Sequence, residues 1–376
     1  MRLAKSFTTA ARLAAACLAI AVIQGCASRP ESNEPLVPMF QGQRVWNGVT
    51  TTPEGRVFVS YPQADGSGMQ VAELDAQGRP YPFPDASWNG PQTWAPGTVG
   101  TGFVHVNALR VGPDGKLWIV DAGAPGMGKP AVKGGARLFR FDPQTRQLLQ
   151  TYDLAAAVHP YSYIDDVRFN GRYAYITDAG APGLIVLDLQ TGAARRVLDN
   201  NNATTAMRPL RADGRAVLDA KGQPVRVHAD QLEVSPDGQW LYFQPASGPM
   251  ARVPTRVLND PSASEKDIAS QVKLEWADTP STGGTAIDAK GNLYTTDTDK
   301  RRILRVSPEG KVSTVIEDDR LIWADALWID RQGYLWIPAS QLNRTPDFNG
   351  GRMEVQYPVW IYRLQIHAQP SPLDHS

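Results

Sequence analysis

His105-Val106-Asn107-Ala108-Leu109-Arg110-Val111-Gly112-Pro113-Asp114-Gly115-Lys116-Leu117-Trp118-Ile119-Val120-Asp121 alternates apolar residues on both sides of a Pro-Asp-Gly turn. That pattern predicts a β-hairpin, with a polar residue opening the first strand and an Asp closing the second. The same grammar recurs along the chain. Aligned on the turn glycine, six copies start at Asn47, Asn107, Asp165, Asp230, Gly283 and Asp325. In five of them the first residue stands eight before the glycine; the third is two shorter and turns on Asn170-Gly171, a favoured two-residue hairpin turn. So many matches at one offset mark an internal repeat.

Second hairpins of the same kind follow, with strands from Val71, Leu138, Leu184 and Ile303. Each unit therefore holds about four strands, and turn glycines 42 to 67 residues apart suit propeller blades. The expected fold is all-β: a six-bladed β-propeller of four-stranded blades, one domain over residues 39–368 with a C-terminal tail at 369–376. The last unit offers a third strand from Val359 and no fourth. The segment near Val37 to Val45 is the natural candidate to complete it, closing the ring and removing an open edge. Three stretches are longer than blade joints need. Residues 86–104 carry Trp88 and Trp94, residues 200–229 suggest an extra hairpin over 215–227, and residues 255–281 suggest a short helix around Ser264 to Val272. The first two should lie over the pocket face, as a lid or as ordinary surface loops.

Thirty-eight basic and thirty-eight acidic residues cancel, so no bulk charge favours nucleic acid or an anionic surface. Thirty-three Gly and thirty Pro suit a turn-rich β protein. At the N-terminus, Arg2, Lys5 and Arg12 precede an apolar run, Leu13 to Ile23, too short to span a bilayer comfortably. It ends Ile23-Gln24-Gly25-Cys26, which resembles a bacterial lipobox. Residues 1–25 are thus expected to be a signal peptide, Cys26 a lipid-bearing residue, and 26–38 a flexible tether. The protein would sit on the periplasmic face of the cell envelope, anchored to the outer membrane as a monomer. Cys17 lies within the signal, so the mature chain has no disulfide and no thiol nucleophile.

In a propeller the innermost strands run along the axis, so the six first residues face the channel mouth. Asn47, Asn107, Asp165, Asp230 and Asp325 each offer an oxygen, and Gly283 leaves a gap. Two residues earlier stand Val45, His105, Tyr163, His228, Ser281 and Trp323, a ring rich in aromatic and imidazole groups. Apolar walls with a few convergent oxygens suit a small-molecule site, with Asn107, Asp165, His105, Tyr163, His228 and Trp323 as ligand-binding candidates. Asn47, Asp230 and Asp325 could hold one divalent cation, Ca²⁺ or Mg²⁺. Asp230 and Asp325 are the acid/base candidates. The plainer alternative is that these residues cap strand starts and hydrogen-bond nearby amides. Asp121, Asp178 and Asp297 end second strands on the same face. The first two open identical Asp-Ala-Gly-Ala-Pro-Gly stretches at 121–126 and 178–183, which read as turns whose glycines take positive φ. No G-x-S-x-G elbow, P-loop, C-x-x-C or H-E-x-x-H is present.

Val106-Asn107-Ala108-Leu109-Arg110-Val111 with Leu117 to Gly123, and above all Trp323-Ala324-Asp325-Ala326-Leu327-Trp328-Ile329-Asp330 with Leu335 to Arg344, resemble the yellow/major royal jelly protein family. That family lies within the gluconolactonase-like six-bladed propellers. The resemblance runs from about residue 40 onward. It implies an axial ligand pocket, with dopachrome-converting isomerases and binders of aromatic amines among the members. The gluconolactonase-like relatives hold a divalent metal with a first-blade Glu plus Asn and Asp from later blades. Here the corresponding positions are Asn47, Asp230 and Asp325. The expected functions are therefore isomerisation or metal-assisted lactone hydrolysis of a small cyclic or aromatic metabolite. Non-catalytic binding of such a ligand, or protein docking in the cell envelope, are the alternatives.

Overall fold

The repeated hairpins fold as the alternation of their residues dictates. In the second copy, Val106–Val111 and Leu117–Ala122 pair antiparallel, Val111 opposite Leu117 and Val106 opposite Asp121. The structure, a computed structural model, describes Met1 and residues 30–90 and 100–375. The signal-like run with Cys17, Cys26 and Trp94 lie outside the described residues.

Six four-stranded antiparallel sheets follow one another along the chain. Their innermost strands are Gly48–Thr51, Val106–Val111, Ile164–Asn170, Ala229–Val234, Thr285–Ile287 and Trp328–Ile329, which we number as blades 1 to 6. In blade 6 the outermost strand is Val37–Gly42, from the other end of the chain, paired from Val37 opposite Arg363 to Gly42 opposite Val359. Part of the expected tether is also laid down in order. Glu31 N donates to Thr314 O and Ser32 N to Val315 O, both at 3.0 Å, on the outer strand of blade 5.

The core lies between blades. Phe58, Phe83, Phe139 and Phe141 are buried between blades 1 and 2, and Trp88 meets Phe139 edge-on at 5.3 Å. Aromatic pairs of this kind bury large apolar areas, which holds neighbouring blades together without any cysteine among the described residues. Trp88 thus belongs to the core and not to the pocket face. The helix Glu265–Gln271 forms where expected because Ser264 and Asp267 make a reciprocal capping box. Within 200–229 the hairpin divides in two. Arg211–Ala212 pairs with Arg215–Ala216, and Leu218 bridges Pro224 around a turn with Gly222 at φ 73°. Two left-handed glycines, Gly214 and Gly222, supply the extra reversal.

The last residues do not trail away. Ser371 N donates to Ile287 O at 3.1 Å at the far end of blade 5's inner strand, and the chain then turns into the axis. His375 stacks on Trp328 with centroids 3.7 Å apart, and its two ring nitrogens face Asp374 Oδ2 and Ile329 O, each at 2.8 Å. Asp374 Oδ1 lies 2.9 Å from Arg110 Nε and 3.8 Å from Arg168 Nε. Arg168 in turn holds Glu233 through both nitrogens, at 2.9 and 2.8 Å. Arg110, Arg168 and Glu233 each stand three residues beyond the first residue of their copy, about 10 Å further along the axis. The C-terminal segment therefore seals the channel at the end opposite the repeat starts.

Candidate functional site

At the starts of the inner strands lies a cavity of about 190 Å³, lined by Asn47, Asn107, Asp165, Asp230, Gly283 and Asp325 together. All six first residues of the repeat meet there, as the alignment implies. Above them His105, Tyr163 and Trp323 form walls. The His105 and Tyr163 rings meet edge-on at 5.5 Å, and Trp323 packs against Phe348 at 5.5 Å. Among the described residues no Lys or Arg lines the cavity.

His228 does not join them. Its Nδ1 accepts from Ala206 N at 3.2 Å within the 200–229 stretch, and Val227 lines the cavity instead. Val227 and His228 are neighbours in the chain, and only the first of them faces the cavity. Val45 and Ser281 are likewise turned to other partners, Val45 N to Asp65 and Ser281 Oγ to Arg211 N.

The first residues divide into two sets. Asn47 Nδ2 donates to Asn107 O at 2.9 Å, and Asn107 Nδ2 to Asp165 O at 3.4 Å, so these amides lace blade to blade. Asn107 Oδ1 also accepts from Tyr163 Oη at 3.2 Å. The capping alternative therefore describes the two asparagines well. Gly283 is not a gap either. A Cβ there would stand 2.4 Å from Ala324 O, so only glycine lets blade 6 approach.

The carboxyls are different. Asp165, Asp230 and Asp325 converge where burial disfavours charge. Burial, and next the charge of Asp230, hold Asp165 well above the usual carboxylate range. Burial raises Asp325 as well, again with Asp230 the second cause. Burial pushes Asp230 up to about 7, against hydrogen bonds with Asp165 and Gln231 that act the other way. Asp165 and Asp230 thus share a hydrogen bond and a proton, as close like charges must. Donors distinguish the three. Asp325 accepts from Ala326 N at 2.9 Å and Trp323 Nε1 at 3.1 Å, and Asp230 from Gln231 Nε2 at 2.6 Å. The Gln231 donor favours the ionised form of Asp230 and so leaves Asp165 the protonated member of that pair, whereas on Asp325 burial outweighs the two donors.

These shifts predict a pH dependence. A carboxyl whose folded pKa is raised binds more protons folded than unfolded, so its stability contribution is full below about pH 4 and is lost as pH rises through about 7. Asp230→Asn removes that loss. Relative to the unaltered protein it should gain about 2 kcal/mol or more between pH 5 and pH 8, read from urea unfolding at each pH. A gap that does not change with pH would sink the shared-proton description.

The cation expected at Asn47, Asp230 and Asp325 does not fit the donors. Asn47 Oδ1 already accepts from Ser60 Oγ at 2.9 Å, its Nδ2 is spent on Asn107, and both Asp325 oxygens are engaged. Among the described residues no group of three or more His, Cys, Asp or Glu is arranged to hold a metal. A hard cation needs several oxygens free to converge, and these are not.

The strand-end aspartates work from behind. Asp121 is fully buried and accepts from Val104 N, His105 N and Gly123 N, with Arg137 at 3.0 Å. Asp178 does the same for Tyr163 N, paired with Arg196 at 2.8 Å. Each holds the backbone of a wall residue. Of the glycines in the two identical stretches, only Gly123 takes positive φ, 75°; Gly180 and Gly183 are kept small by close neighbours, with Tyr161 O at 2.3 Å from a Cβ on Gly180, and Gly126 has room for one.

No repeat position marks the roof. Pro62 to Ala64, Pro125 to Met127, Leu342, Asp347 and Phe348 close the cavity from above. They come from the segments after Ser60, Ala122 and Ala339, where second strands of blades 1, 2 and 6 end. The signal available was length: these segments outrun the corresponding joins of blades 3, 4 and 5. Trp323 has φ 46°, strained for a bulky residue, and is held there by Asp325 and Phe348.

Known proteins place this geometry in context. Among solved structures, a gluconolactonase from Xanthomonas campestris is similar with 14% identity and a TM-score of 0.56, over 89% of this chain and 90% of that one. A luciferin-regenerating enzyme gives 10% identity and a TM-score of 0.54, over 90% and 97%. A calcium-binding regucalcin from Agrobacterium tumefaciens gives 13% and 0.51, over 89% and 94%. At such identities the likeness is one of fold, the six-bladed propeller. No curated protein matches. The model of the major royal jelly proteins matches residues 104–373, which spans blades 2 to 5 and the inner three strands of blade 6, and on that match the chain belongs to the major royal jelly protein family.

Proposed function

We propose that the cavity carries out carboxyl-based acid/base catalysis on a small cyclic or aromatic metabolite, in the first place an isomerisation. The observation that carries this is the Asp165–Asp230 pair, which keeps one proton near neutrality in a cavity lined by aromatic rings. An isomerisation that moves a proton needs one group to give it and another to take it. Asp165 gives its proton to one atom of the ring system. Asp230, whose carboxylate Gln231 Nε2 supports, accepts a proton from another atom, and proton transfer back within the pair resets it. No step needs a metal, a thiol or an external oxidant. Metal-assisted lactone hydrolysis has less support, because the donors that would hold the cation are spent elsewhere.

Binding without turnover is the second reading, and the five aspartates in the lining favour it for one ligand class. Asp165, Asp166, Asp230, Asp325 and Asp347 line the cavity with no Lys or Arg among the described residues there, and burial disfavours charge on the His105 imidazole beside them. An aromatic amine would stack on Trp323 and Tyr163 and offset that charge.

Thermal shift of the purified protein with arylalkylamines, quinone-type indole carboxylates and lactones tests both readings. Isomerisation predicts a spectral change in a cyclic probe that is lost in Asp165→Asn. A shift with amines and no turnover of any probe would leave binding alone. No shift with any class, in the unaltered protein and at several pH values, would overturn the axial site.

A further inference from the structure

Gln231 sits beside the carboxyl pair with one end doubly committed and the other with no partner. Its Nε2 donates to Asp230 Oδ2 at 2.6 Å and to Thr282 O at 3.0 Å. Its Oε1 is buried with no hydrogen-bond partner, and the residue is only 3% exposed. A buried unpartnered acceptor is unfavourable, and an apolar residue of the same size would avoid it. Flipping the amide would be worse, because it would set Oε1 against the oxygens of Asp230 and Thr282. The position is therefore built for its two N–H donors.

We propose that Gln231 is a positioning residue that sets the polarity of the carboxyl pair. Donation from Nε2 favours negative charge on Asp230 and fixes the plane of its carboxylate. Asp165 receives no donor of this kind: its backbone carbonyl, not its carboxyl, accepts from Asn107. The shared proton then resides on Asp165 and points at Asp230, which makes Asp165 the acid. Thr282 O acts as the anchor, since it precedes Gly283, where blade 6 packs closely and leaves the backbone no room to shift. The blade 4 residue is thus aimed by the blade 5 backbone. The charged groups around the pair are Asp166 on the same strand as Asp165, Asp325 from blade 6, and no cation among the cavity lining residues.

This inference rests on the acid/base reading, and infrared titration of protein carrying ¹³C-labelled aspartate separates the two. The unaltered protein should show a protonated carboxyl band that persists to about pH 7. In Gln231→Met, which keeps size and loses the donors, the midpoint should rise by about one pH unit, a tenfold gain in proton affinity. Gln231→Glu should raise it further, through like charge. In the unaltered protein the ¹⁵N-labelled Gln231 side-chain amide should shift with the same midpoint as the carboxyl band, a readout that depends on no variant folding. If no protonated band exists near neutrality, the acid/base reading fails. If the band is present but its midpoint ignores both substitutions, or the amide signal ignores the titration, the assignment to Gln231 is overturned and the acid/base reading stands.

Discussion

Ending the chain after Gln369 should cost the propeller about 3–5 kcal/mol and open the channel at its far end. The seven lost residues include Asp374, whose carboxylate sits 2.9 Å from Arg110 Nε in a place where Arg110 is 3%, Arg168 2% and Glu233 0% exposed. Burial opposes ionisation of Asp374, yet Arg110, and after it His375 and Arg168, hold it well below the usual carboxylate range. Without it the two guanidiniums keep two carboxylates, Glu233 and Asp166, both held closely by Arg168, while Arg110 reaches Glu233 only at 4.0 Å. Removing one partner of a buried pair leaves an uncompensated charge, the costly case. The loss of the His375 stack on Trp328 adds to it. Chemical denaturation measures the whole effect, and Asp374→Ala in the full chain should give most of it. Pairing Asp374→Leu with Arg110→Met should restore much of the loss, since replacing both charges by apolar groups is often neutral. A truncated protein as stable as the full one would show the seal to be incidental.

The second large effect belongs to the cavity. Asp165→Asn should lower turnover of an isomerised probe by about 10²–10⁴-fold while leaving its binding within a few-fold, because an amide fills the space and has no proton to give. Asp230→Asn should do similar damage from the other side, by removing the acceptor that Gln231 Nε2 supports. Steady-state rates with direct titration of binding separate the two quantities. Weaker binding with unchanged turnover would mean that these carboxyls grip a cationic ligand and do not move protons.

The ring was legible because it is repeated. Asn47, Asn107, Asp165, Asp230, Gly283 and Asp325 stand at one offset from a turn glycine, and one offset on a propeller means one place on the axis. The hairpin from His105 to Asp121 therefore announced both the blade and the end of it that faces the cavity. The helix after Ser264 was legible for a local reason, a capping box within four residues. What misled was treating the residues two places earlier as a second ring. Standing two places before a repeat start does not fix where a side chain points: blades 2 and 4 open with the same irregularity, yet His105 lines the cavity and His228 turns to Ala206 N. Gln231 and the roof residues carried no repeat mark at all.

The sequence by itself determined that six like units close on an axis, since hydrophobic alternation and turn glycines act over a few residues and need no partner to be read. It also determined that oxygens gather at one end. Which oxygens remain free for chemistry was decided only by the tertiary structure. Asn47 and Asn107 are taken up in lacing neighbouring blades, and Asp165, Asp230 and Asp325 are left crowded, because hydrogen bonds between blades join residues about 60 apart in the chain. The same holds at the far end. Nothing in Pro370 to His375 read in order foretells a seal, for its meaning lies in Arg110, Arg168 and Trp328, which only the closed ring brings to meet it.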